Sequence, residues 1–323
     1  MDAIGGYFEL ADYEEGGIFP HQAGILLNTG RNALEFILRS IGEVKGVYLP
    51  YYTCEVVLEP LKRLHIPWMY YHINAQFEIN DEINPRTGES IITNNYFGIK
   101  DDYIRRLVAK FGDHLIVDCA QALFAKPIPG VKCFYSTRKF VGVADGGVAY
   151  LGGVTGDRVH VNEVECTVDH DSHLYKRKEF GAEVGFADYQ SNEIKLDNQP
   201  IRWMSGTTKR ILEHIDYDRI IRKRRANFEY LNAALVEKNF LILPDLDSFV
   251  CPMVYPFVTR IDRNLRKELI EHKVFVAKYW PNVRQLRDYY TEYDLANRVV
   301  PIPIDQRYGI EEMDVIINNI LEK

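Results

Sequence analysis

The stretch "YSTRKFVGVADGG", residues 135–147, is the most informative part of the chain. In it Lys139 follows a turn with two small hydroxyl side chains and precedes a pair of glycines. A single lysine in a sequence is usually a solvated charge. A partly desolvated lysine, however, loses its proton more readily and can act as a nucleophile or form a Schiff base. Because the glycines let the backbone turn tightly beside a ligand, Lys139 is the first candidate for a catalytic residue.

Helical and strand patterns alternate on both sides of this stretch. The patterns predict helices at 32–42, 55–65 and 101–112, and strands at 46–53, 67–73, 90–98, 114–121 and 131–136. Alternation of this kind predicts an α/β fold with a large, mostly parallel sheet flanked by helices.

The pattern changes at about residue 217. A long helix at 217–239 is followed by short strands at 240–243, 252–260 and 275–280, and by helices at 264–274 and 311–323. We therefore predict two domains, a large α/β domain at 1–216 and a smaller α+β domain at 217–323.

Composition is typical of a soluble globular protein, with 46% apolar and 26% charged residues. The acidic start of the chain lacks the apolar segment of a secretory signal, and no apolar run is long enough for a membrane span. The cysteines lack the spacing of a zinc site, so we expect free thiols in a reducing cytoplasm; they are Cys54, Cys119, Cys133, Cys166 and Cys251.

The net charge of −7 disfavours nucleic acid or an anionic membrane as the main partner. One basic run, residues 219–228, is the exception. Its spacing predicts the solvated face of an amphipathic helix, with Ile220, Ile221 and Phe228 turned inward.

Two other features are candidates for a ligand site. Asp118 directly follows a buried strand, at the edge where open α/β sheets bind ligands, although it could simply cap the next helix. In "LNTGRNALEF", residues 27–36, a strand-like run leads through Gly30 into a helix. Backbone amides at that helix start could bind a phosphate, or Thr29 or Asn32 could be no more than an N-cap.

Together these features resemble the DegT/DnrJ/EryC1/StrS family of pyridoxal-phosphate-dependent sugar aminotransferases, which have the aspartate-aminotransferase fold (PLP-transferase fold type I). The family's Asp-x-Ala-Gln-Ala segment is matched by residues 118–122. Its lysine, followed by a short loop and two glycines, is matched by Lys139, Gly146 and Gly147. Its Gly-Thr-x-Ala phosphate turn is matched more loosely by Gly30 and Ala33. The resemblance implies a divergent member of the family.

The resemblance also implies a role for each matched residue. Lys139 would bind pyridoxal phosphate covalently and move a proton during transamination, while Asp118 would pair with the pyridine nitrogen and Gln121 would approach the 3-hydroxyl group. The phosphate would be bound by the backbone amides of Gly30, Arg31 and Asn32, with Ser136 as a further donor. No metal is implied.

Three departures from the family pattern affect these roles. The aromatic residue that stacks on the cofactor ring is replaced by Cys54, so Tyr52, Tyr51 or Tyr96 would have to stack instead. The usual serine five residues before the lysine is replaced by Phe134, for which Ser136 would substitute. The segment that reaches the neighbouring subunit's phosphate site, residues 199–205, retains an arginine, Arg202, but lacks its asparagine.

The resemblance implies an aminotransferase acting on a keto sugar, which we expect to be nucleotide-linked, with glutamate as amino donor. Such an enzyme would serve cell-surface polysaccharide or secondary-metabolite biosynthesis, and it would be a cytoplasmic homodimer. Two alternatives remain: a non-catalytic sugar-binding or regulatory protein on the same fold, and a pyridoxal-phosphate-dependent sugar dehydratase. Lys139 argues against the dehydratase, because the dehydratases of this family have a histidine at that position.

Overall fold

A seven-stranded sheet forms the centre of the protein in the computed structural model, which describes residues 3–12, 17–155, 159, 170–259, 264–285 and 290–321. The described strands are β1 (Ile4–Gly5), β2 (Ile25–Leu27), β3 (Gly46–Pro50), β4 (Trp68–Tyr71), β5 (Glu89–Asn94), β6 (Leu115–Cys119), β7 (Lys132–Ser136), β8 (Gly147–Leu151), β9 (Val254–Phe257), β10 (Val274–Phe275) and β11 (Val300–Pro303).

The large sheet has the strand order β2-β8-β7-β6-β5-β3-β4. Neighbouring strands from β7 to β4 pair in parallel, whereas β8 is antiparallel to both of its neighbours. The predicted α/β architecture with a mostly parallel mixed sheet is thereby confirmed. Two smaller pairs lie outside this sheet: β1 runs parallel to β10, and β9 runs antiparallel to β11.

Ten α-helices occur in the described residues: α1 (Gly30–Ile41), α2 (Leu58–Arg63), α3 (Asp101–Phe111), α4 (Ser172–Phe180), α5 (Phe186–Lys195), α6 (Gly206–Leu212), α7 (Tyr217–Leu235), α8 (Leu265–Glu271), α9 (Tyr290–Arg298) and α10 (Ile310–Leu321). Pro60 is the third residue of α2. Its missing N–H is harmless there, because the first turn of a helix has no intrahelical acceptor for that group. None of the helices described is long and apolar enough to cross a membrane.

Two predicted strands in the last third of the chain are wrong. Residues 240–243 form no strand, because pairing with the segment at 258–259 stops after an isolated bridge of Asn239 with Thr259 and one hydrogen bond from the Phe240 amide to the carbonyl of Val258 (2.8 Å). The Oδ1 atom of Asn239 accepts the amides of Leu241 (3.1 Å) and Val258 (3.0 Å) in place of backbone carbonyls. At 275–280 only Phe275 belongs to a strand, since β10 ends at the last residue that β1 can pair.

Buried side chains cover both faces of the large sheet. One cluster joins α1 and α2 to the sheet, and it includes Leu34, Leu49 and Phe134. The second cluster, on the other face, continues through α7 to α10. The predicted boundary coincides with the start of α7 at Tyr217, but buried contacts continue across it. The division into domains at 1–216 and 217–323 stays a prediction.

The basic run of α7 is only partly the solvated face that its spacing predicts. Ile220 and Phe228 are buried and Ile221 packs against the core, as expected. Arg224, however, is only 1% exposed. Its guanidinium donates to the carbonyl of Met253 (2.9 Å) and to Gln306 Oε1 (3.0 Å). These acceptors come from distant parts of the chain, which is why the helical pattern does not predict them.

Candidate active site

The predicted site residues meet at one edge of the large sheet. Asp118, on β6, pairs in register with Asn94 on β5, while Ser136, at the end of β7, pairs with Gly147 at the start of β8. Lys139 lies in the loop between β7 and β8. Because the carboxyl ends of parallel strands share one edge, the polar residues that follow β5, β6 and β7 converge there.

Asp118 is a buried carboxylate that has one neutral hydrogen-bond donor among the described residues. Its Oδ1 accepts a hydrogen bond from the amide of Ala120 at 2.8 Å. Burial raises the pKa of Asp118, and the nearby ammonium group of Lys139 opposes that rise. A buried carboxylate is stabilised by a cation or a proton donor beside it. The site can therefore hold a protonated ring nitrogen against Asp118.

Lys139 lines a cavity of about 690 Å³. Its loop is closed by the amide of Thr137, which donates to the carbonyl of Gly146 (3.2 Å), and by the Thr137 hydroxyl, which donates to the carbonyl of Asp145 (3.1 Å). The carbonyl of the next residue, Phe140, accepts from Gln306 Nε2 at 2.8 Å. No residue of the described ranges forms a hydrogen bond or ion pair with the Lys139 amine, so the amine is available to a ligand.

Gln121, two residues after β6, has an unused hydrogen-bond donor. Its Oε1 accepts the amide of Phe97 at 2.9 Å, which fixes the side chain. Its Nε2 is buried and has no hydrogen-bond partner among the described residues. An unpaired buried donor costs about 1–3 kcal/mol. An acceptor oxygen supplied by a ligand, such as a deprotonated ring hydroxyl, would remove that cost.

The predicted phosphate turn is present, but the helix cap uses one of its three amides. Thr29 is the N-cap of α1, and its Oγ1 accepts the Asn32 amide at 3.1 Å. The Asn32 side chain donates to Asn28 Oδ1 (2.7 Å) and to the carbonyl of Pro200 (2.8 Å). Among the described residues, the amides of Gly30 and Arg31 have no acceptor. They remain for a phosphate, next to Ser136.

Gly147 supports this turn from the neighbouring strand. A Cβ atom on Gly147 would lie 2.2 Å from the carbonyl oxygen of Thr29 and 2.6 Å from the amide nitrogen of Gly30. Real Cβ atoms do not approach other atoms this closely, so only glycine lets β8 pass the turn. The second glycine of the lysine motif therefore sets the position of the Gly30 amide.

The tyrosines considered for ring stacking belong to aromatic clusters of their own. Tyr52 is fully buried; its ring packs against Tyr96 and Trp280, and its hydroxyl donates to the carbonyl of Tyr279 at 3.3 Å. The Tyr96 hydroxyl donates to the carbonyl of Tyr52 at 2.6 Å. Neither ring has a face open to a ligand.

Tyr51, the third of these tyrosines, stacks on Tyr70 with ring centroids 4.6 Å apart. Cys54 is half-buried and lies within electrostatic range of both Lys139 and Asp118. Burial raises the pKa of the Cys54 thiol, and the positive charge of Lys139 opposes that rise. Cys119, Cys133 and Cys251 are also free thiols, and Cys166 lies outside the described residues.

One wall of the cavity consists of residues that the sequence does not predict. Tyr7 and Tyr189 stack with centroids 4.7 Å apart, beside His173 and Arg177 of α4. Arg177 Nε donates to Glu9 Oε2 (2.9 Å), whereas its Nη1 has no partner among the described residues. Burial lowers the pKa of His173 to about 4, so its ring is neutral near pH 7. Nothing in the sequence around α4 signals this wall, because its partners come from two other segments, Tyr7 and Glu9 before β2 and Tyr189 on α5.

The segment at 199–205 lies beside the phosphate turn of its own chain. Trp203 forms a bridge with Leu27 of β2, and the amide of Asn28 donates to the carbonyl of Arg202 at 2.9 Å. Arg202 Nε is buried without a partner in the described residues.

Comparisons with known proteins bear on the fold. No protein-family model and no curated protein sequence matches the chain. Solved structures do match it. DesV from S. venezuelae, in complex with a ketimine intermediate, superposes with a TM-score of 0.66 at 15% identity, over 93% of this chain and 84% of DesV. The sugar aminotransferase CalS13 from Micromonospora echinospora gives 0.64 at 18% identity, over 94% and 88%.

A DegT DnrJ EryC1 StrS aminotransferase from Brucella abortus gives a TM-score of 0.61 at 14% identity, over 92% of this chain and 84% of that one. The chain has the fold of these aminotransferases. The predicted PLP-transferase fold is confirmed, and the matching structures include a member of the family that the lysine motif resembles.

Proposed function

We propose that the protein is a pyridoxal-phosphate-dependent aminotransferase, a divergent member of the DegT/DnrJ/EryC1/StrS family. The observation that carries this proposal is the convergence of Lys139, Asp118 and Gln121 at one sheet edge, on a fold that solved sugar aminotransferases share. The buried Gln121 Nε2, which lacks a partner in the described residues, and the close approach of Gly147 to the phosphate turn support a fit to this cofactor.

Bound pyridoxal phosphate supplies an electron-withdrawing ring that stabilises negative charge at the substrate carbon. Lys139 would hold the cofactor through its amine, and the same amine would accept and return the proton at the substrate carbon. Asp118 keeps a proton on the ring nitrogen, since its buried carboxylate is stabilised by a positive partner. Gln121 Nε2 donates to the 3-hydroxyl oxygen.

The cofactor phosphate is bound by the amides of Gly30 and Arg31, and by the Ser136 hydroxyl. We do not assign the Asn32 amide to it, because Thr29 accepts that hydrogen bond. The thiol of Cys54, which lies within electrostatic range of Lys139 and Asp118, would contact the cofactor ring in place of a stacking aromatic, since the ring of Tyr52 is enclosed by the core. A thiol gives less contact area than an aromatic ring, so we expect weaker cofactor binding than in relatives with that ring.

The acceptor is a keto sugar linked to a nucleotide, and glutamate is the amino donor. DesI, a structure that matches the chain at 16% identity with a TM-score of 0.56, was solved in the presence of its TDP-sugar product, which supports the nucleotide linkage. We further propose a cytoplasmic homodimer that serves cell-surface polysaccharide or secondary-metabolite biosynthesis.

The test is to add pyridoxal phosphate, reduce with borohydride and locate the modified residue by mass spectrometry. A pyridoxyl group on Lys139 is expected, as is loss of the visible absorbance of the bound cofactor in Lys139→Ala. Glutamate should convert the cofactor to its amine form. If the wild-type protein shows no cofactor absorbance, or Lys139→Ala retains it, the proposal is wrong.

A second function is favoured by one observation, the replacement of the stacking aromatic by Cys54 with Tyr52 enclosed in the core. In this alternative the protein binds a sugar or nucleotide sugar without turnover. Sugar binding in the absence of any cofactor absorbance would support it over the aminotransferase.

A further inference from the structure

Asp145 is a buried carboxylate at the end of the lysine loop, residues 137–146, and the proposed chemistry does not use it. It is only 2% exposed. Its Oδ2 accepts the amide of Ser205 at 2.9 Å, and its Oδ1 accepts the Ser205 hydroxyl at 2.7 Å and the Thr208 hydroxyl. Within the described ranges, no basic side chain pairs with it. Neutral donors at the start of α6 therefore stabilise the Asp145 carboxylate.

The backbone next to Asp145 joins the lysine loop to the phosphate turn. The amide of Gly146 donates to the carbonyl of Asn28 at 2.7 Å, two residues before Gly30. The Thr137 hydroxyl, at the start of the loop, donates to the carbonyl of Asp145 at 3.1 Å. Residues 145 and 146 therefore connect the start of the lysine loop, the start of α6 and the turn that is expected to bind the cofactor phosphate.

The segment before α6 contacts the phosphate turn as well. The amide of Met204 donates to the carbonyl of Leu26 at 3.1 Å, and the amide of Asn28 donates to the carbonyl of Arg202 at 2.9 Å. Ser205 follows this segment directly, so the hydrogen bonds of its amide and hydroxyl link the lysine loop to the chain that flanks the turn. Without those hydrogen bonds, the loop and the turn can shift relative to each other.

We propose that Asp145 is a positioning residue, which sets the distance between the Lys139 amine and the amides of Gly30 and Arg31. This inference rests on the proposed function and deepens it. Pyridoxal phosphate would be held at two places, at Lys139 and at the phosphate turn, and both must match the fixed length of one small molecule. A rigid connection between the two places therefore strengthens binding of the whole cofactor, but not binding at Lys139 alone.

Pyridoxal, which lacks the phosphate, separates positioning from a merely structural role. It can engage Lys139 but not the phosphate turn. A variant that only destabilises the fold keeps the wild-type ratio of the two dissociation constants, pyridoxal to pyridoxal phosphate. A variant in which the loop and the turn shift apart lowers that ratio, because only pyridoxal phosphate needs both places.

The test measures both dissociation constants by absorbance titration of the full chain, at one pH and ionic strength. Asp145→Asn replaces one carboxylate oxygen by an amide group that cannot accept a hydrogen bond. Thr208→Val removes one donor and keeps both hydrogen bonds of Ser205, so it decides the question if Asp145→Asn does not fold. Glu292→Gln is the matched control, because Glu292 is 1% exposed, accepts the amide of Ile73 at 2.8 Å and does not line the cavity.

We expect Asp145→Asn to raise the dissociation constant of pyridoxal phosphate about tenfold, the order of one hydrogen bond to a charged group, and to change that of pyridoxal by no more than about twofold. Thr208→Val should act in the same direction to a smaller extent, and Glu292→Gln should leave the ratio as in wild type. A wild-type ratio in Asp145→Asn and Thr208→Val would overturn the inference, whether or not the affinities fall. So would the same fall of the ratio in Glu292→Gln.

Failure of this inference can be separated from failure of the proposed function. A wild-type protein that shows no cofactor absorbance with pyridoxal phosphate would contradict the aminotransferase proposal. Normal absorbance in wild type, together with a wild-type ratio in Asp145→Asn and Thr208→Val, would contradict the role of Asp145 alone. Borohydride labelling of Lys139 at saturating pyridoxal phosphate should persist in the variants, because none of them replaces a residue that is placed at the cofactor.

Discussion

Replacing Gly147 by alanine should damage the phosphate turn more than the rest of the protein. The added Cβ would lie 2.2 Å from the Thr29 carbonyl oxygen, whereas an ordinary contact begins at 3.4 Å, so one of the two backbones must move by about 1.2 Å. Backbone cannot rotate away as a flexible side chain can. Overpacking of this kind costs about 1–3 kcal/mol of folding free energy.

The same movement displaces the Gly30 amide, whose nitrogen would lie 2.6 Å from the added Cβ. If that amide binds the cofactor phosphate, a hydrogen bond to a charged group worth about 1.5–3 kcal/mol is lost. The dissociation constant for pyridoxal phosphate should then rise about 10- to 100-fold. Lys139 remains in place, so borohydride reduction at saturating cofactor should still label it.

Two measurements check this prediction. Urea unfolding of the cofactor-free protein gives the change in stability, and titration with pyridoxal phosphate, followed by absorbance, gives the change in affinity. Gly206→Ala is the control. Gly206 starts α6, and apart from its own helix and chain neighbours no described residue has an atom within 4 Å of the added Cβ. We expect Gly206→Ala to be neutral or stabilising by up to about 1 kcal/mol. If Gly147→Ala equals wild type in both measurements, the account of the phosphate turn is wrong.

Three further predictions concern charge and protonation. Asp118→Asn should still bind the cofactor but should lower turnover about 10- to 100-fold, because one charged hydrogen bond is lost. Single-turnover kinetics with glutamate measures this change, and full activity would exclude the proposed role of Asp118. Arg224→Ala should lower the free energy of unfolding in urea by about 2–5 kcal/mol, because buried carbonyls lose their donor. Arg222→Ala, on the same helix at a more exposed position, should change that free energy by no more than about 0.5 kcal/mol, and equal effects of the two variants would contradict this prediction. Burial lowers the pKa of His21 from 6.5 to about 4. Between pH 6.5 and 4 the unfolded chain therefore binds a proton at His21 that the folded chain does not bind, and the free energy of unfolding should fall by up to about 3 kcal/mol over that range. His21→Asn should flatten the plot of unfolding free energy against pH there, and an unchanged slope would refute the assignment.

The central part of the fold is predictable because local sequence pattern determines it. The apolar run before Asp118 predicts a strand buried on both faces, and all five residues of β6 are buried. The helix starting near Gly30 follows from its apolar spacing. These elements need no knowledge of distant residues.

The features that the sequence pattern does not reveal depend on partners elsewhere in the chain. Arg224 is buried because the carbonyl of Met253 and the side-chain amide oxygen of Gln306 accept its hydrogen bonds. The strand expected at 240–243 does not form, because its pairing with the segment at 258–259 is limited to one bridge and one backbone hydrogen bond, and the Asn239 side chain accepts the amides of Leu241 and Val258. Tyr52 is enclosed by Trp280, more than two hundred residues away. Helical and strand periodicities carry no information about such pairings.

The part of the site at the strand ends is predictable, and the aromatic wall is not. The lysine loop, Asp118 and Gln121 lie on successive strand ends, and sheet topology brings strand ends together. The aromatic wall with Tyr7 and His173 depends on how the start of the chain crosses α4, which no motif records.

Residues 5–8, which also line the cavity, lie far along the chain from the residues proposed for the chemistry. The proposed proton transfers involve residues 118–147, whereas the shape of the space for the acceptor depends partly on Gly5, Gly6, Tyr7 and Phe8. These four residues are joined to the rest by the short pairing of β1 with β10 and by the Tyr7 hydroxyl, which donates to the carbonyl of Ala182 at 2.8 Å. Libraries that vary this segment should therefore alter acceptor preference while the chemistry is preserved.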